Sequence, residues 1–389
     1  MSPATIMIMV LAVLFSLGPI RAYGAEMDPE SRESQLAGIF KNLTDGQSPG
    51  VAVLVRENGK VAFQRGYGVR DLRTRRAIDS HTNFRLASCT KQFTAMAVML
   101  LVHDGKMRYG ERLTDVFPEF PEYGKAITLR NLLNHTSGLP DYETLMDQAP
   151  ERRARWTANR QIHDSEVLAL LEGQKGGKFR PGTQWSYSNS GYVILGLAVA
   201  RVSGRPFEDF LEERIFSPLK MNHTLAYVRG KNEVPDRAYG HSKEGDALVE
   251  TDQSSTSATL GDGGVYSNLE DLAKWDEALA RHTLLAPSEL QSALTPVKLA
   301  DGSLPRWAGD PGDANPQPSK LVSYGFGWFL DDYRGHQRMW HYGETIGFKT
   351  VIERFADGNL TVIVLSNRSD LDPAALALQV TNVYWNTPQ

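Results

Sequence analysis

The chain has 389 residues, of which 41% are hydrophobic, and its formal net charge is −4. That size and apolar content suffice for a full core, in one large globular unit or in two closely packed parts. The slightly acidic balance argues against nucleic acid as a partner, and the single cysteine, Cys89, excludes an intramolecular disulfide.

The N-terminus carries an apolar run, Ile6–Leu17, which a Gly-Pro pair interrupts before the small residues that end at Ala25. The run is shorter than the ~18 residues expected of a spanning helix. We therefore predict a signal peptide over residues 1–25. The mature chain, residues 26–389, is expected to be exported to the periplasm or the extracellular space, with no stable membrane span after cleavage. Because no Lys or Arg precedes the apolar run, an uncleaved N-terminal anchor is the alternative.

A helix is predicted over Ser31–Leu43 and a strand over Gly50–Arg56. The residues between them, Gly46-Gln47-Ser48-Pro49-Gly50, match the G-x-S-x-G pattern of a nucleophile elbow. That elbow needs a strand before the serine and a helix after it, whereas the order here is reversed. The segment is therefore predicted to be a turn into the first strand.

The next element places a serine beside a lysine. Ser88-Cys89-Thr90-Lys91 precedes an almost wholly apolar run, Phe93–Val102, which Gly105 ends. Such a run predicts a buried helix with Ser88 at its N-terminal end and Lys91 on the same face. Burial lowers the pKa of an ammonium group, so Lys91 could accept the proton of Ser88. Taken alone, the pattern also fits a helix cap followed by a surface lysine.

A second motif follows a turn at Arg180–Thr183. Tyr187-Ser188-Asn189 lies just before a helix predicted from about Gly191 to Val202. A tyrosine hydroxyl beside a lysine ammonium is easier to ionise and can relay protons. The Asn189 amide could bind a substrate carbonyl and hold Lys91. Without the other motifs, a helix cap with a packing tyrosine explains the segment equally well.

The third motif belongs to the C-terminal strands. These strands are predicted over Tyr324–Leu330, Gln337–Tyr342, Phe348–Phe355 and Leu360–Ser366. His341-Tyr342-Gly343 lies at the end of the second of them. Gly343 would let a substrate approach the backbone closely. The N–H of Glu344 is a candidate oxyanion donor together with the N–H of Ser88.

The three motifs in this order resemble the serine β-lactamase and D-alanyl-D-alanine peptidase superfamily. The resemblance is closest to the class C-type branch, which also contains esterases and D-amino-acid peptidases. The family pattern is S-x-x-K, then Y-x-N, then K-T-G or H-x-G. Other stretches that resemble the family are Leu132–Leu139, Tyr192–Gly196 and Gly261–Ser267, and the likeness runs from about Val51 to Asn367.

The resemblance implies an α/β fold of the α+β type. An antiparallel sheet flanked by helices would be built from both chain ends, over about residues 30–105 and 320–389. A mainly helical part, about residues 106–319, would be inserted between them, and the active site would lie in the cleft where the two parts meet.

The resemblance also implies roles for the motif residues. Ser88 would be the nucleophile and Lys91 the proton acceptor. Tyr187 with Asn189 would form the second wall of the site, and His341 with Gly343 the third.

The third motif departs from the β-lactamase pattern, because His341 and Tyr342 stand where those enzymes typically have Lys and Thr. That Lys/Thr pair meets the substrate carboxylate, so efficient β-lactam hydrolysis is not expected. No acidic motif is assigned as a separate deacylation base.

Two further segments are candidates for a rival site. His135 has no accompanying His/Cys cluster or H-E-x-x-H pattern, which favours a structural loop histidine near the cleft and no metal site. The glycine-rich Gly261–Gly264 lacks the spacing and the lysine of a phosphate loop, so it is expected to let a loop pass close to the core.

The sequence thus predicts an exported serine hydrolase that forms an acyl-enzyme on Ser88 and needs no cofactor or metal. Its expected activity is that of a D-Ala-D-Ala carboxypeptidase or an esterase, on a small molecule or a peptidoglycan-type peptide. The alternatives are a non-hydrolysing penicillin or muropeptide sensor, a weak β-lactamase and a purely structural binding module. The deacylation rate separates the sensor from the hydrolase.

Overall fold

The computed structural model describes residues 29–44, 46–150, 155–307 and 320–385. The predicted signal peptide, residues 1–25, lies outside the described residues. Within those ranges, no helix has both the length and the apolar character needed to cross a membrane.

Thirteen strands are described. They are β1 (Val51–Glu57), β2 (Lys60–Tyr67), β3 (Phe84–Arg85), β4 (Leu225–Ala226), β5 (His241–Glu244), β6 (Ala247–Glu250), β7 (Val265–Ser267), β8 (Arg306–Trp307), β9 (Lys320–Leu321), β10 (Phe329–Tyr333), β11 (His336–Thr345), β12 (Phe348–Phe355) and β13 (Leu360–Ser366). Six of them form the main sheet, in the order β10-β11-β12-β13-β1-β2, with every neighbouring pair antiparallel. The predicted antiparallel sheet from both chain ends is therefore confirmed.

Helices cover the sheet and fill the region between β2 and β10. They are α1 (Pro29–Phe40), α2 (Lys91–His103), α3 (Leu113–Val116), α4 (Leu129–Leu133), α5 (Tyr142–Gln148), α6 (Asp164–Glu172), α7 (Asn189–Ser203), α8 (Phe207–Leu211), α9 (Leu269–Arg281), α10 (Pro287–Leu290) and α11 (Pro373–Tyr384). The inserted, mainly helical region that the resemblance implied is present.

The sheet is covered on both faces, which explains why β1 is apolar from Val51 to Val55. Successive side chains of a strand point to opposite faces. Val53 and Val55 join one cluster with residues of α1 and α11, while Ala52 and Leu54 join the larger cluster that contains α2 and α7. The apolar run therefore encodes a central strand rather than an edge strand.

Helix α2 lies in the middle of the larger cluster. Its residues Lys91 to Leu101 are all buried, and it packs against α7. The predicted buried helix is confirmed, and its N-terminal residue is Lys91 itself. The polar side chains of its first turn are thus held inside the protein.

The prediction of a strand over Tyr324–Leu330 is wrong for its first five residues. Strand β10 begins at Phe329, and Gly325 N donates to Trp328 O over 2.9 Å to close a tight turn. Gly327 has a φ of +77° in this turn. Two glycines in four residues permit a reversal that the apolar pattern alone did not indicate.

A buried ion network ties the sheet to α9. Asp276 accepts from Arg56, from Arg354 Nε at 2.8 Å and from Thr361 Oγ1 at 2.7 Å. We expect Asp276→Ala to lower the free energy of unfolding by about 3–5 kcal/mol, because it leaves a buried guanidinium without its carboxylate. Urea unfolding followed by circular dichroism measures this. The adjacent Glu277→Ala is the control, since Glu277 is exposed and lies 3.6 Å from Arg56; an equal loss in both variants would contradict the prediction.

Candidate active site

Ser88 lies in a 3-10 turn, Ala87–Thr90, directly before α2. Its neighbours Ala87, Cys89 and Thr90 are buried, whereas Ser88 is partly exposed. Ala87 has a φ of +47°, which is costly for a residue with a Cβ and recurs at functional sites. The strained turn presents the serine hydroxyl at the surface of an otherwise buried segment.

The turn is fastened to two strands of the sheet. Cys89 Sγ donates to His341 O over 3.2 Å, and Thr350 Oγ1 donates to Leu86 O over 2.8 Å. Cys89 is therefore a buried packing residue. Burial also raises the pKa of its thiol to about 12, so it stays protonated at neutral pH.

Lys91 is fully buried and has three acceptors around its ammonium group. Its Nζ lies 2.9 Å from Ser88 Oγ, 2.8 Å from Asn189 Oδ1 and 2.9 Å from the backbone oxygen of Asp262. A neutral amine has two N–H donors and one lone pair. With Asn189 and Asp262 accepting the two N–H groups, the lone pair is left for the hydroxyl proton of Ser88.

Burial lowers the pKa of Lys91 from 10.5 to about 8, although the Asp262 carboxylate opposes the shift. Roughly one tenth of the molecules then hold a neutral lysine at pH 7. At the ordinary pKa that fraction would be smaller by a factor of several hundred. The site thus makes a usable base of a residue that is normally a cation.

Tyr187 lies next to both Ser88 and Lys91. Lys91 Nζ is 4.9 Å from the centre of the Tyr187 ring, and the His135 ring is 4.5 Å away on a tilted plane. Desolvation raises the pKa of Tyr187 well above its usual value, although a hydrogen bond with Ser88 opposes this. The expectation that Lys91 makes Tyr187 easier to ionise is therefore wrong for the resting site, where Tyr187 is a proton donor.

The loop that carries Tyr187 is fixed at its helix end and by His135. Ser188 Oγ caps α7 by accepting from Gly191 N over 3.0 Å, and Ser188 N donates to His135 Nδ1 over 3.1 Å. His135 is buried and burial lowers its pKa, so the ring is neutral. It is a structural histidine beside the cleft, as predicted.

His341 is buried behind the wall of the cleft. Its Nδ1–H donates to Tyr342 O over 2.6 Å, and its Nε2 accepts from the Tyr324 hydroxyl over 3.1 Å. Burial, with Lys91 nearby, lowers its pKa to about 3. His341 is thus a neutral ring with both nitrogens occupied, so it brings no positive charge to a substrate.

Gly343 is needed for a different reason from the one predicted. A Cβ at this position would lie 2.1 Å from Leu86 O and 2.6 Å from Thr350 Oγ1. The missing side chain lets β11 approach the turn that carries Ser88. It serves protein packing there, and approach of a substrate to the same backbone stays a prediction.

We expect Gly343→Ala to cost about 3 kcal/mol of stability, because the new Cβ must displace a backbone carbonyl beside the serine turn. The midpoint temperature of thermal unfolding and the turnover rate should both fall. Gly110→Ala is the control, since a Cβ there meets nothing within 4 Å. A Gly343→Ala protein as stable as Gly110→Ala would show that the turn moves without cost.

Glu344 follows Gly343 on β11, and its exposed carboxylate lies 3.2 Å from Lys349 Nζ. Its N–H is thus carried by the same strand that contacts the serine turn. Its assignment as an oxyanion donor with Ser88 stays a prediction.

An acidic group that no sequence motif indicated interacts with Lys91. Glu143, exposed on α5, has its pKa raised to about 7 by desolvation and by Asp141 and Asp262, while Lys91 opposes the rise. Asp262 Oδ2 also accepts from Tyr142 OH over 3.2 Å. Only the fold brings these residues together, since α5 and α2 are far apart in the chain, so no local pattern could have indicated the contact.

The Gly261–Gly264 loop behaves as predicted, with one addition. A Cβ on Gly261 would lie 2.2 Å from Tyr192 O, so the loop runs against α7. That close approach also brings the Asp262 carbonyl to Lys91. The glycines thus build part of the lysine site.

Comparison with known sequences identifies the family. A model of the Beta-lactamase family matches residues 36–382. Penicillin-binding protein 4* of Bacillus subtilis (strain 168) is 30% identical over 354 residues, which cover 88% of this chain and 73% of that protein. Protein flp of Staphylococcus aureus (strain MW2) is 26% identical over 333 residues, and the matched region spans 85% of this chain but only 61% of that protein.

Solved structures show the same fold. A penicillin-binding protein from Bacillus halodurans superposes with a TM-score of 0.70 at 26% identity, over 90% of this chain and 98% of that one. The D-amino acid amidase from Ochrobactrum anthropi SV3, complexed with L-phenylalanine, has a TM-score of 0.73 at 24% identity, over 92% and 99% of the two chains. The match to the family model over most of the chain, supported by this fold, shows that the protein belongs to the Beta-lactamase family of serine hydrolases.

Proposed function

We propose that the protein cleaves amide or ester bonds through an acyl-enzyme on Ser88. The observation that carries this is the arrangement around Lys91, whose Nζ lies 2.9 Å from Ser88 Oγ while two other acceptors take the two N–H groups of the neutral amine. A serine hydroxyl needs such a base before it becomes a useful nucleophile.

In the first half of the reaction, neutral Lys91 takes the Ser88 proton as Oγ bonds to the carbonyl carbon. The carbonyl oxygen gains charge, which the N–H groups of Ser88 and Glu344 would stabilise. The bond to the leaving group then breaks, and Tyr187 passes a proton to the departing amine or alcohol. Lys91 returns that proton to Tyr187, so the site ends neutral with an ester on Ser88.

In the second half, a water molecule replaces the leaving group. The Lys91/Tyr187 pair accepts one water proton as the oxygen attacks the ester carbonyl. The bond from that carbon to Ser88 Oγ breaks, and the proton goes back to Oγ. The products are the free acid and the starting enzyme.

Charge in the site favours substrates without a carboxylate beside the scissile bond. His341 is neutral and buried, and the charge of Lys91 interacts with Asp141 and with Glu143, which is about half ionised at pH 7. Like charges repel a substrate carboxylate, whereas they attract an ammonium group. We therefore place small esters and D-configured amides or peptides with a free amino group ahead of D-Ala-D-Ala carboxypeptidase substrates and β-lactams.

A substrate panel tests this order. The probes are D-alanine p-nitroanilide, its N-acetylated form, p-nitrophenyl acetate, diacetyl-Lys-D-Ala-D-Ala and nitrocefin. We expect kcat/KM for the free-amine amide or the ester to exceed that for nitrocefin by about 100-fold, or roughly 3 kcal/mol. Faster turnover of nitrocefin or of the D-Ala-D-Ala peptide would overturn the charge argument and leave the acyl-enzyme mechanism standing.

A sensor that acylates once is the second candidate. The raised pKa of Tyr187 favours it, because a protonated tyrosine is a poor base for activating water. Intact-mass spectrometry during reaction with p-nitrophenyl acetate separates the two functions. An adduct that decays as product accumulates supports the hydrolase, whereas an adduct that persists at one per chain supports the sensor.

We also propose export of the mature chain, on the basis of the apolar run Ile6–Leu17. Expression of the full chain in a secreting bacterial host, with cell fractionation and intact-mass analysis, tests this. Cleavage near Ala25 with recovery outside the cytoplasm is expected. A full-length chain retained in the membrane fraction would favour the anchor.

A further inference from the structure

A second cavity lies beside α2, apart from the candidate active site. Its volume is about 510 Å³, and it is bordered by α2, α9, the segment after α10 and strands β10 to β12. Neither Ser88, Lys91, Tyr187 nor Asn189 is among the described residues that line it. Its size falls within the range of small-molecule sites in proteins.

The walls of the cavity are mainly apolar. Met96 and Met99 of α2 face Trp275 and Leu279 of α9 across it. The remaining apolar wall is formed by Leu290, Ala293, Leu294, Pro296, Trp328, Leu330 and Met339. Flexible methionines and flat tryptophan rings adapt to ligands of varied shape.

One buried polar side chain lines this wall. Gln92 is 1% exposed, and its Oε1 accepts from Trp275 Nε1. Its Nε2 has no acceptor among the residues that the structure describes. A buried amide donor without a partner is uncommon in proteins, and a ligand oxygen would satisfy it.

Both arginines that line the cavity are already paired with carboxylates, and the lining carboxylate of Asp332 is exposed and accepts from Gly335 N. Arg338 lies 2.7 Å from Asp331 and 3.2 Å from Glu353, and Arg354 lies 2.8 Å from Asp276. An anionic ligand would have to compete with these carboxylates and then bury its own charge. An uncharged ligand meets neither cost.

We propose that this cavity binds an uncharged, mainly apolar molecule with one carbonyl oxygen, which accepts a hydrogen bond from Gln92 Nε2. Fatty-acid esters and aryl ketones have this chemistry. The site is independent of the hydrolase reaction, so its test does not depend on the proposed activity.

The probe is prodan, an uncharged naphthalene ketone whose emission shifts to the blue in apolar surroundings. We expect saturable binding of one prodan per full chain, displaced by 2-undecanone, an uncharged ketone that has no leaving group for the hydrolase to release. Binding should be unchanged in Ser88→Ala, since Ser88 does not line the cavity. N-phenyl-1-naphthylamine is the control ligand, because it is apolar but has no carbonyl.

Two sets of variants assign the site. Gln92→Glu keeps an acceptor for Trp275 and removes the donor, and Gln92→Met removes both; each should weaken prodan roughly tenfold and leave N-phenyl-1-naphthylamine little changed. Ala293→Phe should fill the cavity and abolish binding of both ligands. Leu294→Trp is the second filling variant, because Leu294 is 41% exposed and tolerates a larger side chain more readily.

Ala280→Phe is the matched control, since Ala280 is exposed on α9 and does not line the cavity. Circular dichroism verifies that each variant is folded. Absence of saturable prodan binding, or binding that both filling variants leave intact, would overturn the proposal. Equal loss of both ligands in the Gln92 variants would overturn the role of the amide.

Discussion

Replacing Ser88 by alanine should abolish turnover and acyl-adduct formation while the protein stays folded. The hydroxyl is partly exposed, and its loss leaves Lys91 with acceptors on Asn189 and Asp262. Stability should therefore change by less than about 1 kcal/mol. Turnover of p-nitrophenyl acetate, intact mass and thermal unfolding measure the three quantities.

Ser48→Ala is the matched control for that experiment. Ser48 occupies the serine position of the G-x-S-x-G pattern, but it lies in the turn before β1, where Val69 N donates to its backbone oxygen. Activity should be unaffected. If Ser48→Ala lost activity and Ser88→Ala kept it, the nucleophile assignment would be wrong.

Replacing Lys91 by methionine should lower kcat/KM by about 10³-fold, which is within the range for loss of a general base. Lys91→Arg should be equally inactive, because a guanidinium keeps its charge at any pH of the assay. Substitution of the partly exposed Lys349 by methionine is the control. If Lys91→Met kept activity within tenfold of the unchanged protein, a group other than Lys91 would be the base.

The pH dependence of kcat/KM should report the ionisation of Lys91. Lys91 accepts a proton only when neutral, so kcat/KM should rise with pH and level off above the Lys91 pKa of about 8. The rise should be tenfold per pH unit on the acid side. A profile flat between pH 6 and pH 8 would contradict the assignment.

The stability of the folded protein should also rise with pH. Below pH 8 the folded protein buries a charged lysine; between pH 8 and pH 10.5 the unfolded chain binds more protons at this position than the folded one. The free energy of unfolding therefore rises with pH across that window. Relative to Lys91→Met, the unchanged protein should gain about 2 kcal/mol between pH 7 and pH 9.5. Urea unfolding at the two pH values measures the difference.

The sequence pattern predicted most of the secondary structure that carries the site. The apolar run after Lys91 indicated a buried helix, and α2 is buried from Lys91 to Leu101. The Ser-Asn pair before the second helix indicated a cap, and Ser188 caps α7. Both signals are local, because a helix start and an apolar face are encoded within a few residues.

What the sequence did not predict depends on contacts between distant segments. The third acceptor of Lys91 is the backbone carbonyl of Asp262. Every residue type has such a carbonyl, so no side-chain pattern indicated this contact. The role of Gly343 became visible only when β11 was placed against Leu86. The orientation of His341 depends likewise on the Tyr324 hydroxyl. The spacing of residues along the chain does not indicate which distant segments come into contact.

The joining of β1 to β13 has a consequence for synthesis of the protein. Gly50 N donates to Asn367 Oδ1 over 2.8 Å across 317 positions of the chain. At ~5–20 residues per second, β1 is made many seconds before its partner emerges from the ribosome. Its apolar surface must be kept from other chains throughout that interval. We therefore expect production of this protein to depend on chaperones that hold the nascent chain open, and a C-terminal truncation before β13 to leave an aggregation-prone strand rather than a smaller enzyme.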